Sequence, residues 1–176
     1  MDITGKDDAV IMEQKKTERI NRILTHPSYI EYVSQNAEKE QDRVFCHHDM
    51  GHFLDVARLA EILNLTEAYG QDAELIYAAA LLHDIGRHIQ YETGEDHALA
   101  SARMAPAILK DCGFMQEEAE QIISAIATHR LAEVRDRKDL NGLLYRADKL
   151  SRPCYCCKQE SACNWKGDKK NRQLIW

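Results

Sequence analysis

Only three prolines and eight glycines are spread over 176 residues, so little in the chain interrupts long helices. Aromatic residues are scarce at 7%, and no segment alternates polar and apolar residues long enough for a β-sandwich. The longest apolar run, LIYAAALL at 75–82, is far short of the roughly 20 residues that cross a bilayer. The first eight residues, MDITGKDD, lack the apolar stretch of a secretory signal. Flexible linkers and internal repeats are missing as well. These absences exclude secreted and membrane-spanning classes. They leave one cytoplasmic helical domain as the expectation.

What is present supports it. Hydrophobic residues make up 44% and charged residues 30%, a balance that suits a soluble core. The net charge of −6 is unevenly divided. Residues 149–176 carry seven Lys and Arg against two Asp and Glu, or +5, so the first 148 carry −11. An acidic body argues against coating duplex DNA. It leaves room for a phosphorylated small molecule held by a metal and a few placed cations.

Apolar spacing and capping residues predict six helices. The first spans 17–37, with a break near His26-Pro27 because the residue before proline avoids helical geometry. The second spans 48–63, with Phe53, Val56, Ala57, Ala60 and Leu63 on one stripe. The third follows Asp72 as N-cap and is apolar on nearly every side through 76–82, which marks the central helix. The fourth spans 97–109, capped by Thr93 or Asp96 and strained at Pro106. The fifth spans 116–129 and the sixth 140–151. The fold class is therefore all-α, with a helical domain at 1–152 and a Cys-rich, basic extension at 153–176.

Five of the eight histidines acquire a common meaning on these helices. His48 and His52 stand four apart at the start of the second helix. His83-Asp84 ends the central helix, where a carboxylate without a cation is costly. His97 opens the fourth helix, His129 closes the fifth, and Asp148 interrupts an apolar face of the sixth. Imidazoles and carboxylates at inward helix ends are what a bundle-core metal site needs. Plainer roles also exist: His97 as a cap, His129 as a cation at a helix C-terminus, Asp148 as a partner of Arg146 or Lys149. His26, His47 and His88 read as surface or packing residues.

The order His52, His83-Asp84, Asp148, in the segments HFLDVARLAEIL, AAALLHDIGR and LYRADKLSR, resembles the HD-domain metal-dependent phosphohydrolases over about 44–152. The resemblance implies an all-α HD bundle in which His52, His83, Asp84 and Asp148 bind one divalent ion. His97 and His129 fall where the two-metal, di-iron-type bacterial branch carries extra histidines, with Asp84 bridging the ions. Iron or manganese is the expected metal, and His48 the expected neighbour rather than ligand. The chain lacks the GYP segment of the cyclic-dinucleotide phosphodiesterases. It also has His129-Arg130-Leu131-Ala132 where the diadenosine-tetraphosphate hydrolases carry His-Thr-Thr-Gly.

Six cysteines in an intracellular chain point to metal binding or packing rather than disulfides. Cys154, Cys157 and Cys163 lie in one short segment, and Cys46, just before the first histidine helix, could complete a set of four. Structural zinc, an iron–sulfur cluster or no metal are all compatible with that spacing. Cys112 reads as core and Cys156 as spare.

The leading functional expectation is hydrolysis of a phosphate ester or anhydride, on a small phosphorylated substrate of nucleotide type. His83 and Asp84 would serve catalysis together with Arg87, Arg130 and Lys149, the last three neutralising phosphate oxygens. An HD-fold di-iron oxygenase and a non-catalytic, metal-stabilised binding module are the alternatives. Oligomeric state leaves no mark in the sequence.

Overall fold

The computed structural model describes residues 17–174. The N-terminal stretch read above for a signal segment lies outside the described residues. Among those residues, eight α-helices and three short 3-10 turns build an all-helical bundle. None of these helices is long and apolar enough to cross a membrane.

Helices α1 (Glu18–Thr25) and α2 (Pro27–Lys39) are the expected first helix in two pieces. His26 takes an extended conformation before Pro27, and its Nδ1 accepts the Ser28 N–H at 3.2 Å, which restarts the chain as α2. Helix α3 (Met50–Thr66) begins two residues later than expected. Asp49 is its N-cap, accepting the His52 N–H at 3.0 Å, so His48 stands outside the helix. The four-residue spacing of His48 and His52 is therefore not a helical face. Their rings nevertheless meet edge-on, 5.6 Å apart.

Helix α4 (Ala73–Leu82) starts where expected, Asp72 accepting the Glu74 N–H at 2.8 Å. Helix α5 (Arg87–Thr93) was not anticipated. It is only two turns long and stops at Gly94, whose φ of +81° suits a residue without Cβ. Helix α6 (His97–Asp111) runs through Pro106 to Asp111. Asp96 alone caps it, through the Ala98 N–H at 2.8 Å; the Thr93 hydroxyl instead donates back to Ile89 O. Helices α7 (Gln116–Thr128) and α8 (Leu140–Leu150) close the bundle, α8 capped by Asp139.

Helix α4 is the hub, packed against α1, α3, α7 and α8. Seven of its ten residues are buried, which explains why its sequence shows no polar face. Leu81 and Leu82 are wholly enclosed, and truncating either to Ala should cost about 2–5 kcal/mol. The turn after α4 is pressed onto α6 at Gly86. A Cβ there would sit 2.6 Å from Ser101 N and 2.8 Å from Ala100 Cβ, and the Gly86 N–H donates to Ser101 Oγ at 2.9 Å. Glycine is thus required by close approach. Cys112 is buried at the end of α6, and His88 is buried against Tyr32, both as packing residues. Beyond α8 the chain continues to 174 with no helix longer than three residues.

Candidate metal centre

Six polar side chains reach one end of the bundle core from helix termini. His52 comes from the first turn of α3, and His83 and Asp84 from the turn leaving α4. His97 opens α6, His129 follows α7, and Asp148 lies in the last turn of α8. All six were expected together.

Asp84 is the centre of the arrangement. Its Oδ2 lies 3.2 Å from His83 Nε2 and 3.7 Å from His52 Nε2. Its Oδ1 lies 3.0 Å from His97 Nε2 and 3.7 Å from His129 Nε2. Two groups that could hold a metal ion therefore share one carboxylate: His52, His83 and Asp84, and Asp84, His97 and His129. Asp148 Oδ1, 3.7 Å from His52 Nε2, borders the first group.

Two of the imidazoles, His83 and His129, are held with Nδ1 protonated, as ligation through Nε2 needs. His83 Nδ1 is 2.7 Å from Ala80 O and His129 Nδ1 is 2.7 Å from Ile126 O. A carbonyl only accepts, so both Nδ1 atoms carry the hydrogen, and each ring turns its Nε2 inward as the atom that would face an ion. His97 Nδ1 lies between Gln90 Oε1 at 2.8 Å and the Arg87 guanidinium at 2.6 Å, and His52 Nδ1 faces Ser151 Oγ at 3.3 Å. Ser151 has already given its own hydrogen to Asp148 O.

The residues present fit a cation. Asp84 is nearly solvent-free, and its Oδ1 has no hydrogen-bond partner in spite of His97 nearby. A buried, unpartnered carboxylate oxygen is expensive unless positive charge faces it. The electrostatics agree. Burial pushes the Asp84 carboxyl up, but the His83 and His48 imidazoles outweigh this and hold it well below the ordinary range. Burial also opposes ionisation of Asp148, where Lys149 prevails and keeps the carboxylate charged. His129 goes the other way, down to about 3, through burial and then the charge of His83. It is a neutral base, as a ligand must be.

His48 stands beside this centre, its Nε2 3.8 Å from Asp84 Oδ2. Glu40 holds it, accepting both the His48 N–H at 2.8 Å and the ring Nδ1–H. Tyr91 OH donates to the same carboxylate at 2.6 Å. Asn36 fixes the turn from below: its Nδ2 donates to Asp84 O at 2.9 Å and its Oδ1 accepts the His88 N–H at 2.7 Å. Sequence reasoning missed Asn36, Glu40, Gln90 and Ser151. Asn36 lies in α2 but Glu40 is its C-cap, so their four-residue spacing marks no helical face.

The centre opens into a cavity of about 830 Å³. Arg87, Arg130 and Lys149 line it as expected, each already engaged. Arg87 bonds Gln90 Oε1 at 2.8 Å, Arg130 pairs with Asp96, and Lys149 pairs with Asp148. Cys46, Cys154, Cys157 and Cys163 also line this cavity as free, half-buried thiols. Cys156, the expected spare, is exposed.

Comparison with known proteins bears on this geometry. The family model described as HD domain matches residues 49–152. A Clostridium beijerinckii protein, described as uncharacterized, is 44% identical over 161 residues, covering 90% of this chain and 99% of its own. Ribonuclease Y of Oleidesulfovibrio alaskensis is 31% identical over 126 residues, covering 72% of this chain but only 22% of that protein. Among solved structures, a predicted HD superfamily hydrolase from an uncultured Thermotogales bacterium superposes with a TM-score of 0.57 at 28% identity. The match covers 80% of this chain and 79% of that one.

Proposed function

The chain belongs to the HD domain family, and from that premise we propose that it hydrolyses a phosphate ester or anhydride bond of a nucleotide at a two-ion centre. The observation that carries this reading is Asp84, a buried carboxylate with one oxygen toward each pair of histidines. His52, His83, Asp84 and Asp148 would hold one divalent ion, and Asp84, His97 and His129 the other. Imidazole and carboxylate donors suit iron or manganese. When bound, such ions polarise phosphoryl oxygens and bring the pKa of a coordinated water toward neutrality.

The protein's own groups supply the rest. Asp84 and Asp148, kept ionised by their surroundings, would balance the charge of bound ions, and Asp84 is the carboxylate the two groups share. The carbonyls of Ala80 and Ile126 keep His83 and His129 from rotating. Arg87, Arg130 and Lys149 sit on the cavity wall, where their cations would neutralise non-bridging phosphate oxygens as charge accumulates. Arg130 and Lys149 would exchange their carboxylate partners for phosphate. His48, tethered by Glu40, would orient groups beside the ions rather than bind them. Similarity to ribonuclease Y proteins supports a nucleotide phosphodiester as the bond class to try first.

The test is turnover by the full chain loaded with Mn²⁺ or, without oxygen, Fe²⁺. Bis-p-nitrophenyl phosphate, a dinucleotide and a short RNA are the substrates. Hydrolysis that chelation abolishes and either ion restores supports the reading. Dioxygen consumption without hydrolysis would instead indicate an oxygenase on the same ligands.

A further inference from the structure

The cavity that serves the histidine centre has a second wall whose chemistry hydrolysis does not use. We propose that Cys46, Cys154, Cys157 and Cys163 hold an iron–sulfur cluster there, a structural centre separate from the His/Asp groups. Three observations converge on it.

The fold brings Cys46, which precedes α3, to three cysteines more than a hundred residues later in the chain. All four are free, half-buried and lining one cavity. Four thiols gathered on one cavity wall are a set that a cationic centre would stabilise as thiolates.

The segment carrying three of them also has no core of its own. Among the described residues, no buried hydrophobic side chain lies beyond Ala147. The segment is nonetheless folded back on α8. Asn171 Nδ2 donates to the carbonyls of Lys149, Leu150 and Arg152, each at 2.9 Å, and the Arg152 guanidinium lies 4.4 Å from the Trp165 ring. A short, coreless segment needs a cross-link or a metal to keep such a shape.

Spacing selects the occupant. In a tetrahedral zinc site with bonds of about 2.3 Å, sulfurs lie roughly 3.8 Å apart. Among the described residues, the groups whose ligand atoms all lie within 4.8 Å are the two His/Asp groups, and no three cysteines form one. Four thiols that do not converge to zinc's sulfur spacing leave room for the larger body of a four-iron cluster. Arg152, which lines the same cavity, and Arg43, whose Nε donates to Cys46 O at 2.7 Å, supply cations next to the resulting anionic assembly.

This proposal is independent of the phosphohydrolase reading, and acid-labile sulfide separates the two, because the His/Asp centre contains none. The full chain purified without oxygen should carry about four sulfides with matching extra iron, and a broad visible absorption that dithionite bleaches. Cys157→Ser and Cys46→Ser should lose the sulfide. Cys112→Ser and Cys156→Ser should keep it, as should Asp84→Ala even while losing its other ions. No sulfide in the wild-type chain overturns the cluster, as does one zinc per chain held by the cysteines or sulfide retained in both Cys46→Ser and Cys157→Ser. If the two serine variants do not fold, iron X-ray absorption on the wild-type chain decides by the presence or absence of sulfide-bridged iron.

Discussion

The two walls of the cavity are built in opposite ways. On one, ligands project from the ends of packed helices, and backbone carbonyls at Ala80 and Ile126 already orient His83 and His129. On the other, three of the four cysteines project from a segment with no helix longer than three residues and no buried hydrophobic side chain among the described residues. A site made of helix ends inherits its geometry from the bundle core and exists before any ion arrives. A site made of coil depends on what it binds for its shape. The helical wall should therefore lose chemistry but keep its fold when a ligand is removed, and the coil wall should lose its fold.

The sharpest break in that contrast is Asp84→Ala. It should remove both His/Asp ions and lower turnover by several orders of magnitude, with the helical circular dichroism preserved; full metal content and activity would overturn the bridging role. Next in size is His129→Ala, which should release about one of two ions and leave the His52, His83 and Asp148 ion in place, as counted by elemental analysis. Loss of both ions or of neither would mean that the two groups are not separable.

Cys157→Ser probes the other wall. Its midpoint of thermal unfolding should fall by roughly 5 °C while His/Asp metal content is unchanged. The smallest effect concerns Glu40, whose carboxyl is brought from 4.5 down to about 2; burial opposes this, and the His48 bond overcomes it. Because the folded value is the lower one, the carboxylate stabilises the protein fully above about pH 4.5. That contribution is lost as the pH falls toward 2. Glu40→Gln should therefore flatten the acid limb of stability between those values, by on the order of 2 kcal/mol. An unchanged acid limb would mean that the His48 contact does not persist in solution.

Much of this was legible before any coordinates, for local reasons. Asp72 and Asp96 announce helix starts because a short acceptor placed just before an apolar run can bond the first free N–H groups. The segment 75–82 announces a buried helix because it has no face that water would favour. The start of α3 was misplaced for an equally local reason. Two histidines four apart look like one face, whereas Asp49 between them is the better cap. Helix α5 was invisible because seven residues give too little periodicity to register.

The amino-acid sequence by itself determined an all-helical chain with its metal-binding residue types at helix ends, since periodicity, caps and motif spacing act over a few residues. Only the tertiary structure decided how they meet. Asn36 reaches Asp84 across 48 positions, Tyr91 reaches Glu40 across 51, and Ser151 reaches His52 across 99. None of these residues carries a local signal, because an amide, a hydroxyl or a carboxylate is equally at home in water. Their meaning arises when burial takes the water away. The same holds for Asp84, whose two oxygens acquire separate tasks only because packing brings histidines to both of its sides.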